Sequence, residues 1–167
     1  MPGRIAAVLE TSRLRLVPFH AALLVALRDG ELTRADALAG APLPRAVELP
    51  PPQLLEHCRR AYEEDETLVG FGPWLVLEDG AVVGNAGFHG APQDGVVELG
   101  YGLAPEVWGR GLATEAAGAL VGWALADPRV ATIVADTDPE NVASQRVLRK
   151  LGFTRAGEAN GRLRFAL

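Results

Sequence analysis

Between Val96 and Ala117 the sequence VVELGYGLAPEVWGRGLATEAA runs from an alternating apolar stretch, through a loop with Gly109 and Gly111, directly into an alanine- and leucine-rich helix. This junction restricts the fold more than any other segment. Glycines there let the backbone turn sharply and approach a ligand closely, while the helix start offers unpaired N–H groups and the positive end of its dipole. Such a junction suits phosphate or pyrophosphate. Two nucleotide motifs do not fit it. A phosphate loop needs a Gly-Lys pair, which the chain lacks, and the dinucleotide fingerprint needs Gly or Ala at the sixth position from Gly109, where Thr114 stands. A Gly-x-Gly pair alone also reads as a plain tight turn.

The flanks give the topology. Thr11 to Val17 alternates as a strand, and an apolar helix follows from Ala21 to Arg28, stopping before Gly30. Ala41 to Pro52 gathers five of the 12 prolines and cannot hold regular structure; a helix over 53–64 follows. Trp74 to Leu77 and Ala81 to Phe88 are short apolar runs around Glu78-Asp79-Gly80, a hairpin signal, and Val96 to Leu103 adds a third antiparallel strand after Gln93-Asp94-Gly95. Beyond the junction the order becomes helix (111–126), strand (130–135), helix (139–151), then closing strands over 153–156 and 162–166. Asp138 reads as the cap of the second helix with Pro139 at its first position, and Gly152 as its left-handed end.

At 167 residues this is one domain, 1–167, with no linker or repeat. The net charge of −5 disfavours nucleic acid, which needs a basic stripe, and leaves a cationic amine attractive as a partner. Cys58 is the only cysteine and has no zinc-type spacing around it, so neither a disulfide nor a metal is expected. The longest apolar run, Ala116 to Ala126, has 11 residues, too few for a membrane span, and the start of the chain lacks a signal-peptide core; a cytoplasmic location is expected.

A second constellation is Asn141 to Phe153, NVASQRVLRKLGF. Asn141 and Ser144 lie three residues apart on one helix face, with Val147, Leu148 and Leu151 forming the buried stripe. A capping Asn beside a solvated Ser is the plainer reading.

Together the two segments resemble the GNAT N-acetyltransferase superfamily, in particular its RimJ/RimL-like branch. The superfamily's loop, Q/R-x-x-G-x-G/A, is matched by Trp108-Gly109-Arg110-Gly111-Leu112-Ala113, with the aromatic residue common in that branch; Thr114-Glu115-Ala116, Lys150-Leu151-Gly152-Phe153 and the opening Leu9 to Leu16 are similar too. The resemblance implies an α/β fold with a mixed, mostly antiparallel central sheet flanked by helices. It also implies acetyl-CoA as cosubstrate, no metal, and a primary amine acceptor, either a protein N-terminus or a small molecule. Dimers are common among such relatives, and the oligomeric state stays open.

The resemblance further assigns the pyrophosphate to the amides of Gly109 to Thr114 with Arg110 adding charge, the pantetheine amides to the strand end at Leu99 to Ala104, including Leu103, and the pantetheine arm to Asn141. The strand ending near Leu103 is expected to splay from the one ending near Asp136. One of Arg146, Arg149 and Lys150, with Arg146 preferred, would meet the adenosine phosphates.

Transfer needs a base for the amine, donors for the carbonyl oxygen and a proton source for the leaving thiolate. Many relatives use a tyrosine for the last step, but Leu148 occupies that position, so Ser144 inherits the role. Glu98, opposite in facing to Val97, Leu99 and Tyr101, is the first candidate for the base and His89 the second. Trp74, Phe71 and Tyr101 would line the acceptor pocket, walled by Pro42 to Pro52 and the first two helices, although aromatic residues are commonly core. Two alternatives remain: a CoA-binding sensor or interaction domain without transfer, and a transferase for another acyl-CoA such as succinyl-CoA.

Overall fold

The computed structural model describes residues 6–43 and 50–167. An eight-stranded sheet runs β1 (Leu9–Glu10), β2 (Leu14–Pro18), β3 (Pro73–Glu78), β4 (Ala81–Phe88), β5 (Val96–Leu103), β6 (Thr132–Thr137), β8 (Arg162–Ala166), β7 (Thr154–Ala159) in spatial order. Every pairing is antiparallel except β5 with β6. Helices α1 (Ala21–Arg28), α2 (Leu32–Ala39) and α3 (Pro52–Glu64) lie between β2 and β3 in the chain; α4 (Leu112–Leu125) joins β5 to β6, and α5 (Val142–Lys150) joins β6 to β7. This is the mixed, mostly antiparallel sheet flanked by helices that the sequence implies.

Local chemistry sets the register. Asp79-Gly80, Asp94-Gly95 and Asn160-Gly161 all adopt positive φ at both residues, the two-residue turn whose twist matches antiparallel strands. They join β3 to β4, introduce β5, and join β7 to β8. The third turn is an Asn-Gly pair, a strong hairpin signal between the two closing strands.

Helix α4 holds the layers together. Leu112, Ala116, Ala117, Leu120, Val121, Trp123 and Ala124 are buried along it, and Trp123 meets Phe71 and Trp74 with ring centroids 4.9 and 5.5 Å apart. Phe71 and Trp74 are therefore core residues, not pocket lining; Trp74 is fully buried and its indole N–H donates to the Gly70 carbonyl at 2.8 Å. Burying rings of this size contributes about 2–3 kcal/mol each, which explains why they pack inward.

Several boundaries differ from expectation. The strand expected from Thr11 begins at Leu14, because Thr11, Ser12 and Arg13 are drawn aside to Glu115. Helix α2 was not foreseen: its buried residues are only Ala35 and Ala39, so no bulky stripe announces it. Strand β6 starts at Thr132, two residues later than read. Helix α5 starts at Val142 with Asn141 as cap, not at Pro139 with Asp138 as cap. Asp138 instead opens a turn in which Asn141 N–H donates to its carbonyl, with Pro139 in the second position that proline favours. Pro44 to Leu49 of the expected proline-rich wall lie outside the described residues.

Candidate functional site

The one parallel pair is short. Val96, Val97 and Glu98 face Thr132, Ile133 and Val134, and there the pairing stops. Beyond it β6 pairs with β8 on its other side, while β5 continues along β4 to Leu103. The sheet splays, as the resemblance implied. His89 N–H donates to the Glu98 carbonyl (2.9 Å) and Ala104 N–H to the Val83 carbonyl (2.8 Å), so the even-numbered residues of β5 bond toward β4. By the same alternation, Leu99, Tyr101 and Leu103 turn their main-chain groups into the gap. An open strand edge of this kind suits an amide-bearing ligand.

At the end of that edge stands the glycine loop. Gly109 and Gly111 have φ of +74° and +79°, conformations that an L side chain adopts only with strain, and α4 begins immediately afterwards. Gly111 caps the helix without a side chain, so the first-turn amides of Leu112, Ala113 and Thr114 have no acceptor within the helix. Trp108 is 67% exposed, and its indole N–H donates to the Leu103 carbonyl at 2.7 Å. Trp108 thus anchors the loop to the strand and leaves the Leu103 N–H, rather than its carbonyl, for a ligand.

Remote side chains brace the loop. Arg13 donates to the Arg110 carbonyl (2.8 Å) and forms an ion pair with Glu115 in the first turn of α4 (2.6 Å). Glu115 also accepts from Thr11 Oγ1 (2.6 Å), Ser12 Oγ (3.0 Å) and the Arg13 N–H (2.9 Å). Burial pushes the Glu115 carboxyl up, but these donors outweigh it and hold the group down at about 2. Glu115 belongs to the Thr114-Glu115-Ala116 resemblance but had no role assigned from sequence. Arg110 differs from expectation: both its terminal nitrogens bond Glu78, at 2.7 and 2.6 Å, so its charge is already matched.

On the other face of β5, Gly100 and Gly102 follow Glu98 and oppose Gly87 and Asn85 of β4 in register. The two base candidates meet here: His89 Nδ1 is 3.1 Å from Glu98 Oε1. A Cβ at Gly100 would come within 2.7 Å of His89 Nε2, so glycine is what lets the imidazole lie across the strand. Beside it opens a cavity of about 840 Å³, lined in part by Pro50, Pro51, Leu54, Pro105 and Glu106. The start of α3 therefore walls the cavity. Across the splay, Arg164 holds Asp136 in a two-pronged pair (2.8 and 2.7 Å), which keeps that carboxyl below its usual range.

Helix α5 closes the gap from the opposite side. Asn141 Oδ1 accepts the Ser144 N–H at 2.9 Å, so the capping role is occupied while the amide nitrogen stays available as a donor. Ser144 Oγ lies 2.9 Å from the Tyr101 hydroxyl, a contact that nothing in the local pattern announced. Leu148 is buried. Arg149 bonds Gln145 (3.1 Å) and sits over Phe165, whereas Arg146 and Lys150 are exposed and form no ion pair among the described residues. The described residues contain no cluster of three His, Cys, Asp or Glu side chains able to hold a metal.

The profile of the family described as "Acetyltransferase (GNAT) domain" matches residues 13–154. YjdG of Bacillus subtilis, an uncharacterized N-acetyltransferase, is 36% identical over 87 residues, covering 50% of this chain and 52% of that protein. The chain spans about half the length of the curated relatives it matches. Among solved structures, an acetyltransferase from Agrobacterium tumefaciens superposes with a TM-score of 0.66 at 27% identity, covering 97% of this chain and 94% of the other. RimL, the ribosomal L7/L12 alpha-N-protein acetyltransferase, in complex with coenzyme A gives 0.61 at 19% identity, covering 96% and 97%; at that identity the likeness concerns the fold alone.

Proposed function

Since the chain belongs to the acetyltransferase (GNAT) domain family, we propose that it moves an acetyl group from acetyl-CoA to a primary amine, a protein N-terminus or a small molecule, by direct transfer. The observation that carries this reading is the splayed β5 edge ending at a glycine loop, with a His-Glu pair on one side of the gap and a helix-borne serine on the other. Trp108, Thr114-Glu115-Ala116 and Ser144 favour the RimJ/RimL-like branch, and the chain works as one cytoplasmic domain.

The residues present fit the cosubstrate. Leu99, Tyr101 and the Leu103 N–H would pair with the pantetheine amides, the Gly109 to Thr114 amides would hold the pyrophosphate, Asn141 would donate from its amide nitrogen, and Arg146 would meet the outer phosphates. Bound there, acetyl-CoA supplies an acetyl group activated as a thioester. Arg110 serves the loop's shape through Glu78 rather than the phosphates directly.

The His89–Glu98 contact reorders the base candidates. With the Nδ1 hydrogen directed to Glu98, the lone pair of His89 resides on Nε2, and the carboxylate fixes the ring and stabilises it when it takes the amine proton. His89 is then the base and Glu98 its orienting partner. Ser144 would serve the leaving sulfur as a hydrogen-bond donor.

Thermal-shift and thiol-release measurements test this. Acetyl-CoA should raise the melting temperature, and free thiol should appear only when an amine from a panel of N-terminal peptides and small amines is added. If neither CoA nor acetyl-CoA shifts melting, the reading is wrong.

A further inference from the structure

Tyr101 lies on β5 beyond its last pair with β6, and Ser144 lies in the first turn of α5. Their hydroxyls are 2.9 Å apart, and the phenol is also 3.3 Å from the Ser144 carbonyl. The contact ties together the two sides of the splay, 43 residues apart in sequence, at a depth where the strands no longer bond each other. We propose that Tyr101 is a positioning residue for Ser144, its phenol donating to Ser144 Oγ so that the serine's own hydrogen is directed at the sulfur that departs during transfer. This rests on the transferase reading above.

The direction of the bond follows from acidity. The phenol has one hydrogen and two acceptors in reach, Ser144 Oγ at 2.9 Å and the Ser144 carbonyl at 3.3 Å; because a phenol is a better donor than an aliphatic alcohol and the first contact is the shorter, in the proposed arrangement that hydrogen goes to Oγ. Burial pushes the Tyr101 phenol up, which keeps it protonated at working pH. Ser144 has one hydroxyl hydrogen, and with the phenol as donor that hydrogen is not consumed by Tyr101. The serine N–H is held by Asn141, so the residue is fixed at both its backbone and its side chain. A donor that itself accepts a hydrogen bond is polarised and becomes stronger. The positive end of α5 acts in the same sense on a developing thiolate.

In the transfer the nitrogen–carbon bond forms and the carbon–sulfur bond breaks; the amine proton goes to His89, and the electron pair of the broken bond goes to sulfur. A buried phenolate would be costlier than a thiolate, so Tyr101 does not give its proton away. Ser144 stabilises the thiolate by hydrogen bonding, and the sulfur takes its proton from solvent after leaving.

This can be tested without turnover. The ionisation of the CoA thiol, followed by thiolate absorbance in the enzyme complex, should occur at lower pH than for free CoA. In Tyr101→Phe it should move up by about one pH unit, the equivalent of one polarising hydrogen bond. Ser144→Ala should move it at least as far, and the double variant no further than Ser144→Ala. In thiol-release assays Tyr101→Phe should lower kcat about tenfold with little change in KM for acetyl-CoA. An unshifted thiol in Tyr101→Phe, or an equal Tyr101→Phe effect in the Ser144→Ala background, overturns the proposal while leaving an active wild-type transferase intact. Protein that binds CoA with the predicted thiol shifts but acetylates no amine keeps the Tyr101–Ser144 assignment and removes the transferase reading. Protein that binds no CoA overturns both.

Discussion

The two sides of β5 build their sites from different material. Along the splayed edge and the glycine loop, the groups facing a ligand are main-chain N–H and C=O, and side chains act from behind: Glu78 on Arg110, Arg13 on the Arg110 carbonyl, Glu115 on residues 11–13. On the opposite face the groups proposed to react are side chains, His89 and Glu98, over a floor of Gly87, Gly100 and Gly102. A site made of backbone is shaped by many small braces and degrades gradually. A site made of two side chains can be abolished by one substitution.

The largest expected effect is therefore on the side-chain face. His89→Ala should lower kcat/KM about a hundredfold, within the usual range for a general base, and should remove the acid limb of the pH–rate profile. Glu98→Gln should give a smaller loss with that limb retained. A limb lost in Glu98→Gln but kept in His89→Ala would reverse their roles.

An intermediate effect is expected from the main brace of the backbone side. Glu115→Gln should destabilise the fold by about 2 kcal/mol, the scale for removing hydrogen bonds to a charge, and weaken CoA binding in a titration. Because the folded-state value lies at about 2 against a reference of 4.5, the ionised carboxylate contributes its full stability above pH 4.5. That contribution falls away as the pH drops through the interval, so wild type and Glu115→Gln should converge toward pH 2 in denaturant melts. A gap independent of pH would show that charge is not the source.

The smallest effect should belong to Arg110. If its role is to be held by Glu78, Arg110→Gln and Glu78→Gln should each weaken CoA binding less than about tenfold, as for exposed ion pairs, and the double variant should be no worse than the single ones. A steep loss confined to Arg110→Gln would place its guanidinium on the cofactor after all and blur the contrast between the two faces.

The fold was legible wherever one local signal decided it: Asp-Gly at two hairpins, the strand-to-helix glycine junction, and the apolar stripe of α5. It was not legible where the decisive atoms were far apart or where signals competed. Helix α2 buries only alanines, and Asp138-Pro139 carries a helix-start signature that the four-residue turn Asp138 to Asn141 absorbs. At the site, Glu98 and His89 emerged as rivals because sequence shows two titratable groups but not the 3.1 Å between them. Arg110 looked available for phosphate because Glu78 lies 32 residues away, whereas Trp74 and Phe71, offered as pocket lining although aromatic residues are commonly core, are in the core. Tyr101 was noticed for its ring, while its hydroxyl's partner depended on how two chain segments cross.

The carboxylate of Glu115 gathers three residues that precede it by 102 to 104 positions. During synthesis from the N-terminus, residues 11–13 consequently wait for α4 before they find their partner. The docking of the opening segment is thus a late event of high sequence separation, slow by its nature, and it coincides with assembly of the loop. Ligand-binding competence and closure of that sheet edge should be acquired together.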